Sequence, residues 1–184
     1  MSHQLILPDN PLISRDSPVL WISSCLLGKK VRYDGKDKFH LGVVTLSKVF
    51  AHYSICPELE MGLGVPREPI SLKDDDLIEN KSGQSLKALA ERTSNQIITQ
   101  LTPPSALIVK SKSPSCAYKS SPNLANDKLY SGVFTQAVIK QYQGIKIVEE
   151  NNLETLSQVL DFAQSLHAER SQLEDLHSVW NSLA

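Results

Sequence analysis

Four short apolar runs, at residues 19–23, 52–55, 106–110 and 145–148, constrain how this chain can fold. Each is too short for a stable helix and suits a strand buried on both faces. The segments between them show helical spacing. Leu41, Val44, Leu46, Val49, Phe50 and Tyr53 predict a helix over 41–53. Leu86, Leu89, Ala90, Ile97, Ile98 and Leu101 predict an amphipathic helix over 84–101, stopped by Pro103 and Pro104. Residues 132–142 read as a third helix, Leu153 to Leu166 as a fourth, and Leu173, Leu176, Val179 and Trp180 mark a fifth. Strands alternating with helices imply a single α/β domain: a mostly parallel open sheet with helices on both faces.

The remaining segments read as connections. Residues 1–18, with three prolines, form an extended N-terminal arm without a core role of its own. Residues 19–150 make up the main domain, and 151–184 are a helical tail packed on it. Residues 25–39 read as loop and 70–81 as a small hairpin, with Asp74-Asp75-Asp76 as turn chemistry. The stretch 56–69 is too dense in glycine and proline for a regular element, and loops this long in a compact domain are commonly functional. Residues 117–131 read as polar loop.

A net charge of -1 argues against a broad electrostatic grip on nucleic acid or an anionic membrane. No apolar run approaches the roughly 20 residues that span a bilayer. The first residues lack the basic and apolar regions of a signal peptide, so a soluble, cytoplasmic protein is expected.

The chain has only three cysteines, an odd number that makes no disulfide framework. Each follows an apolar run: Cys25 after 19–23, Cys56 after 52–55, and Cys116 after 106–110 and a Ser/Pro loop. In open parallel sheets, ligands gather outside the carboxyl ends of the strands, so one crevice can receive all three thiols. Thiolates serve as nucleophiles and as soft metal ligands. The spacing does not match the CxxC pairs of zinc ribbons or thioredoxin-like centres, nor the tight cysteine runs of ferredoxins. A site with three protein ligands leaves one coordination position open, as catalytic zinc sites do. The competing reading is three inert, buried thiols packed as small hydrophobes.

The stretch from Cys25-Leu-Leu-Gly to Arg32-Tyr-Asp-Gly35, Cys56-Pro-Glu58 followed by Gly62-Leu-Gly-Val-Pro-Arg67, and Lys112-Ser-Pro-Ser-Cys116 together resemble a bacterial family of thiouracil desulfidases. The likeness runs from about Val19 to Glu150. It implies a [4Fe-4S] cluster with three cysteine ligands, Cys25, Cys56 and Cys116, and one open iron that takes the sulfur of a thiolated uracil. The implied reaction is a non-redox desulfuration giving uracil and sulfide.

Such chemistry needs a polarised thiocarbonyl, a base for the attacking water and a proton for the departing sulfur. Glu58, two residues from Cys56, and Ser113 are the candidate catalytic groups. Ser24, Ser115 and Arg67 are candidates for substrate contacts. Arg32 and Asp34 read as a loop-fixing ion pair, Lys110 and Lys112 as charge compensation, and His40 and His52 as structural. Two departures from the family pattern stand out. Ala117 occupies a position where glycine is common, and Gly83-Gln-Ser-Leu86 lacks the Asp-Val-Thr expected there.

The expected partner is a small thiolated pyrimidine, with the arm and tail as candidate surfaces for a homodimer. Alternatives are a thiolated nucleoside or tRNA base as substrate, or a non-catalytic iron-sulfur or zinc-binding sensor.

Overall fold

A computed structural model describes residues 4–7 and 17–184. The greater part of the predicted arm therefore lies outside the described residues. The four apolar runs form one parallel sheet from β1 (Val19–Ser23), β2 (Ala51–Ile55), β5 (Ala106–Val109) and β8 (Lys146–Glu149), in the order β2-β1-β5-β8. The expected α/β architecture, with helices on both faces of a parallel sheet, is present.

Period-two side-chain alternation divides the core. Leu20, Ile22, Ala106 and Ile108 face one side, where they meet α1 (Leu41–Val49), α5 (Leu156–Ser165) and α6 (Arg170–Leu183) through Val43, Leu46, Val159, Ala163 and Leu176. Trp21, Tyr53, Leu107 and Val109 face the other side, against α3 (Lys87–Gln100) and α4 (Val133–Gln141) through Ile97, Ile98, Phe134 and Val138. Trp21 stacks on Phe134, meets Tyr142 edge-on, and donates its indole N–H to the Thr102 carbonyl at 3.1 Å.

The helix placement follows from strand order. The connection β1-α1-β2 moves one way across the sheet, whereas β2 to β5 and β5-α4-β8 move the other way. Crossovers of one hand then put α1 opposite α3 and α4. The chain reverses direction at β1, so the crevice outside the ends of β1 and β5 is the switch point of the sheet.

Several expectations need correction. Residues 117–131 are not simply loop: β6 (Ser121–Asn123) and β7 (Asn126–Tyr130) form a hairpin there. It joins β3 (Ile70–Lys73) and β4 (Asp76–Glu79) in a second four-stranded sheet, ordered β4-β3-β6-β7. Polar residues hide this hairpin from a hydrophobicity reading. Its anchor is Asn123, whose side chain accepts from the Asp74 amide and donates to the Asp74 carbonyl.

The helix predicted over 41–53 ends at Val49, because β2 starts at Ala51 and claims the last apolar positions. Within 56–69, Pro57–Glu60 forms one helical turn, α2, with proline at its favoured first position. Part of the arm does touch the core: Ile6 exchanges two backbone hydrogen bonds of 2.9 Å with His52, covering edge strand β2, and Leu5 packs below it.

Gly42 lets α1 approach the backbone at Leu153, since a Cβ there would overlap the Leu153 carbonyl oxygen. Alanine favours helix over glycine by about 1 kcal/mol, yet the overlap should reverse the sign here. Gly42→Ala is expected to lower stability by about 1–3 kcal/mol in urea denaturation; a stabilised variant would show that α1 does not rely on this contact.

Candidate functional site

All three cysteines open onto one cavity of about 460 Å³ at the carboxyl edge of the parallel sheet. Cys25 sits in a 3-10 turn, Ser24–Leu27, that follows β1 directly. Gly28 closes the turn with φ +79°, and its amide bonds back to the Cys25 carbonyl. That conformation favours glycine. The Lys38 amide also donates to the Cys25 carbonyl, at 2.9 Å, so the 25–39 loop folds back over its own start. Cys56 follows β2 and caps α2, its carbonyl accepting from the Leu59 and Glu60 amides.

Cys116 lies further from its strand and is held differently. Ser113 Oγ accepts from the Cys116 amide at 3.0 Å and the Ser115 amide at 3.3 Å. On the far side, Gly132 presses against the Ser115–Cys116 peptide, where a Cβ would overlap backbone atoms. Ala117, fully buried, is absent from the positive-φ positions among the described residues; Lys112 and Lys119 take left-handed conformations instead, at φ 59° and 61°. The alanine at 117 therefore adds no left-handed residue to this loop.

Burial raises the pKa of all three thiols. The Cys25 thiol is pushed up to about 11, by burial first and then by the Glu58 charge, with Arg32 and Lys110 opposing. Burial and Glu58 push Cys56 higher, and the buried Cys116 is also well above the ordinary range. Such thiols are poor nucleophiles at neutral pH. The arrangement suits soft ligands that ionise when a cationic group arrives. Among the described residues, no three His, Cys, Asp or Glu side chains are gathered tightly enough for a single metal ion. The three thiols share one cavity, and their sulfurs are soft donors.

Glu58 is buried beside this cavity, its Oε2 accepting from Cys56 Sγ at 3.3 Å. Arg67 Nη2 lies 3.9 Å from the same oxygen, while Arg67 Nη1 donates to the Val31 and Gly64 carbonyls at 2.9 and 2.8 Å. Arg67 thus ties two loops to Glu58. Ser24 and Ser113 line the cavity too, and Ser24 Oγ accepts from Ser54 Oγ at 2.9 Å. Ser115 does not line it; its hydroxyl is buried without a hydrogen-bond partner among the described residues. Arg32 and Asp34 pair at 3.5 Å within their loop, as expected. His52 is buried in β2, its Nδ1 3.3 Å from the Phe50 carbonyl. Gln84, Ser85 and Leu86 lie outside the cavity wall, Ser85 Oγ donating to Asp76 and accepting from the Lys87 amide.

Sequence reading missed two adjacent residues, Glu149 and Glu150, both buried at the end of β8. Glu149 Oε1 accepts from the Tyr118 amide at 2.8 Å and from Ser120 Oγ. Glu150 holds Lys110 and Ser111. Together they grip the Cys116 loop on both sides. The available signal was a pair of carboxylates directly after the fourth apolar run.

Gly132→Ala should displace Cys116, costing about 1–3 kcal/mol. In metal-free protein, Cys116 should react slowest with a disulfide reagent, and this substitution should speed it. Unchanged Cys116 reactivity would refute the close-approach argument.

Comparison with known proteins agrees with this geometry. The family model described as 2-thiouracil desulfurase matches residues 20–152. An uncharacterised protein of Bacillus subtilis, YbbK, is 26% identical over 148 residues, covering 73% of this chain and 97% of its own length. The solved structure of TudS, a [4Fe-4S]-dependent thiouracil desulfidase, superposes with a TM-score of 0.64 at 25% identity. That match covers 79% of this chain and 99% of TudS.

Proposed function

The chain belongs to the 2-thiouracil desulfurase family, and on that footing we propose that it converts a thiolated uracil to uracil and sulfide at a [4Fe-4S] cluster. Cys25, Cys56 and Cys116 would hold the cluster and leave one iron open. The observation that carries this reading is the convergence of three widely spaced thiols on one cavity. The donor set fits the group: three soft sulfurs, buried enough to need a cationic partner before they ionise. When bound, the cluster supplies a soft Lewis acid that draws electron density from the thiocarbonyl.

The chain's own residues supply the proton chemistry. Glu58 is the base: its carboxylate takes a proton from the attacking water, and Arg67 fixes its orientation. The water oxygen adds to the ring carbon as the C=S π bond opens, and the proton on Glu58 passes to the sulfur. Glu58 then takes the second water proton as the new C=O forms and the carbon–sulfur bond breaks, so that hydrosulfide leaves. No electrons are exchanged. Ser113 and Ser24 accept hydrogen bonds from within the protein, which leaves each hydroxyl proton free for the pyrimidine or the water. Arg67 moves in this scheme from a substrate contact to a brace for Glu58, and Ser115 takes no direct substrate role. No helix among the described residues is long and apolar enough to cross a membrane, and the substrate is a small molecule.

Anaerobic reconstitution with iron and sulfide tests this. The protein should gain the broad visible absorption of a cluster, bleach the ultraviolet band of 2- or 4-thiouracil, and release sulfide. Cys56→Ser should lose the cluster and the activity. Glu58→Gln should keep the cluster absorption while kcat falls by about 10²–10⁴-fold. Failure to bind iron would overturn the cluster, and a cluster without turnover would favour the sensor reading.

A further inference from the structure

Lys110 ends its strand run at the cavity wall, with its side chain only 17% exposed. All three donors of its ammonium are used within the protein. They reach the Ser111 carbonyl at 2.9 Å, Ser111 Oγ at 2.8 Å and Glu150 Oε1 at 2.6 Å. Ser111 Oγ donates to the same Glu150 oxygen at 2.7 Å, and the Ser111 amide donates to Oε2 at 2.7 Å. This closed ring leaves Lys110 no proton for a substrate. What it offers the cavity is charge.

We propose that Glu150 is a positioning residue that cancels the Lys110 charge beside the metal centre, keeping a bound cluster hard to reduce. The inference rests on the cluster reading given above. A reaction that moves no electrons requires the cluster to stay in one oxidation state. Cluster potential depends on the net charge nearby, and an uncompensated ammonium in the wall would make reduction easier. Lys110 lines the same cavity as all three cysteines, and Glu150 meets its ammonium at 2.6 Å.

The pair is an ion pair in the folded protein. Burial works against the Glu150 charge, but hydrogen bonds from Lys110 and Ser111 outweigh it and hold the carboxyl below the usual range. His40 also faces this region together with Glu154. Burial lowers its pKa and so disfavours its charged form.

Glu150→Gln keeps an acceptor for Ser111 and removes the charge, whereas Lys110→Met removes the cation. In reconstituted protein, a redox titration read by electron paramagnetic resonance should give shifts of opposite sign. The Glu150→Gln potential should be more positive than wild type and the Lys110→Met potential more negative, with the double variant returning towards wild type. Equal potentials, or single-variant shifts in the same direction, would overturn the proposal. A role in folding alone would not produce opposite signs with mutual rescue. If Glu150→Gln does not fold, the sign of the Lys110→Met shift decides.

If wild-type protein binds no cluster, the desulfidase reading and this proposal fall together, whereas a bound cluster whose potential ignores both substitutions overturns the proposal alone.

Discussion

The parallel pairing of β1 between β2 and β5 is the constraint on which the rest of the structure depends. The register aligns Ser23 with Ile55 and Ile22 with Ile108, so three strands end at nearly the same level. The chain then has no choice about where it emerges: Cys25 and Cys56 appear within two residues of their strand ends. Core packing fixes this register. Leu20 and Ile22 fill one side of the sheet and Trp21 the other, all three fully buried. Each such side chain stabilises the fold by about 1.5–3 kcal/mol. A one-residue slip would put every one of them on the wrong face.

Cys116 has no such support, because a loop separates it from Val109. Polar groups do for this loop what apolar packing does for the strands. Glu150 fixes its first residues, Ser113 holds the cysteine amide, Gly132 closes from behind, and Glu149 grips residues 118–120. A buried polar network of this kind is costly when partly satisfied and rigid when complete. Here both carboxylates are engaged, and each accepts from a backbone amide of the loop. The second sheet rests on the same logic, with Asn123 joining its two hairpins.

The thiols link this scaffold to chemistry. Burial alone would make them inert, since desolvation disfavours the thiolate. Their grouping around one cavity, with Glu58 adding negative charge, makes a centre that gains most from a bound cation. Arg67 and Lys110 stand near that centre, yet each is engaged by a carboxylate and by backbone carbonyls. Their charges are therefore held in place and not free to move onto a ligand.

The sequence by itself determined the parallel sheet, its flanking helices and the three cysteines at its carboxyl edge. Short apolar runs and helical periodicity are local signals, and the strand-end rule follows from them. The motif around Cys56 also singled out Glu58, which the fold buries beside the cavity. Only the tertiary structure decided the rest. The β6–β7 hairpin has no apolar alternation and is specified by the Asn123 side chain across a long sequence gap. Glu149 and Glu150 look like surface residues until β8 brings them beside the Cys116 loop. Arg67 reads in the sequence as a substrate contact or a loop brace, and the fold bonds its guanidinium to the distant Val31 carbonyl. In each case the deciding interaction joins residues far apart in the chain, which periodicity and spacing cannot reveal.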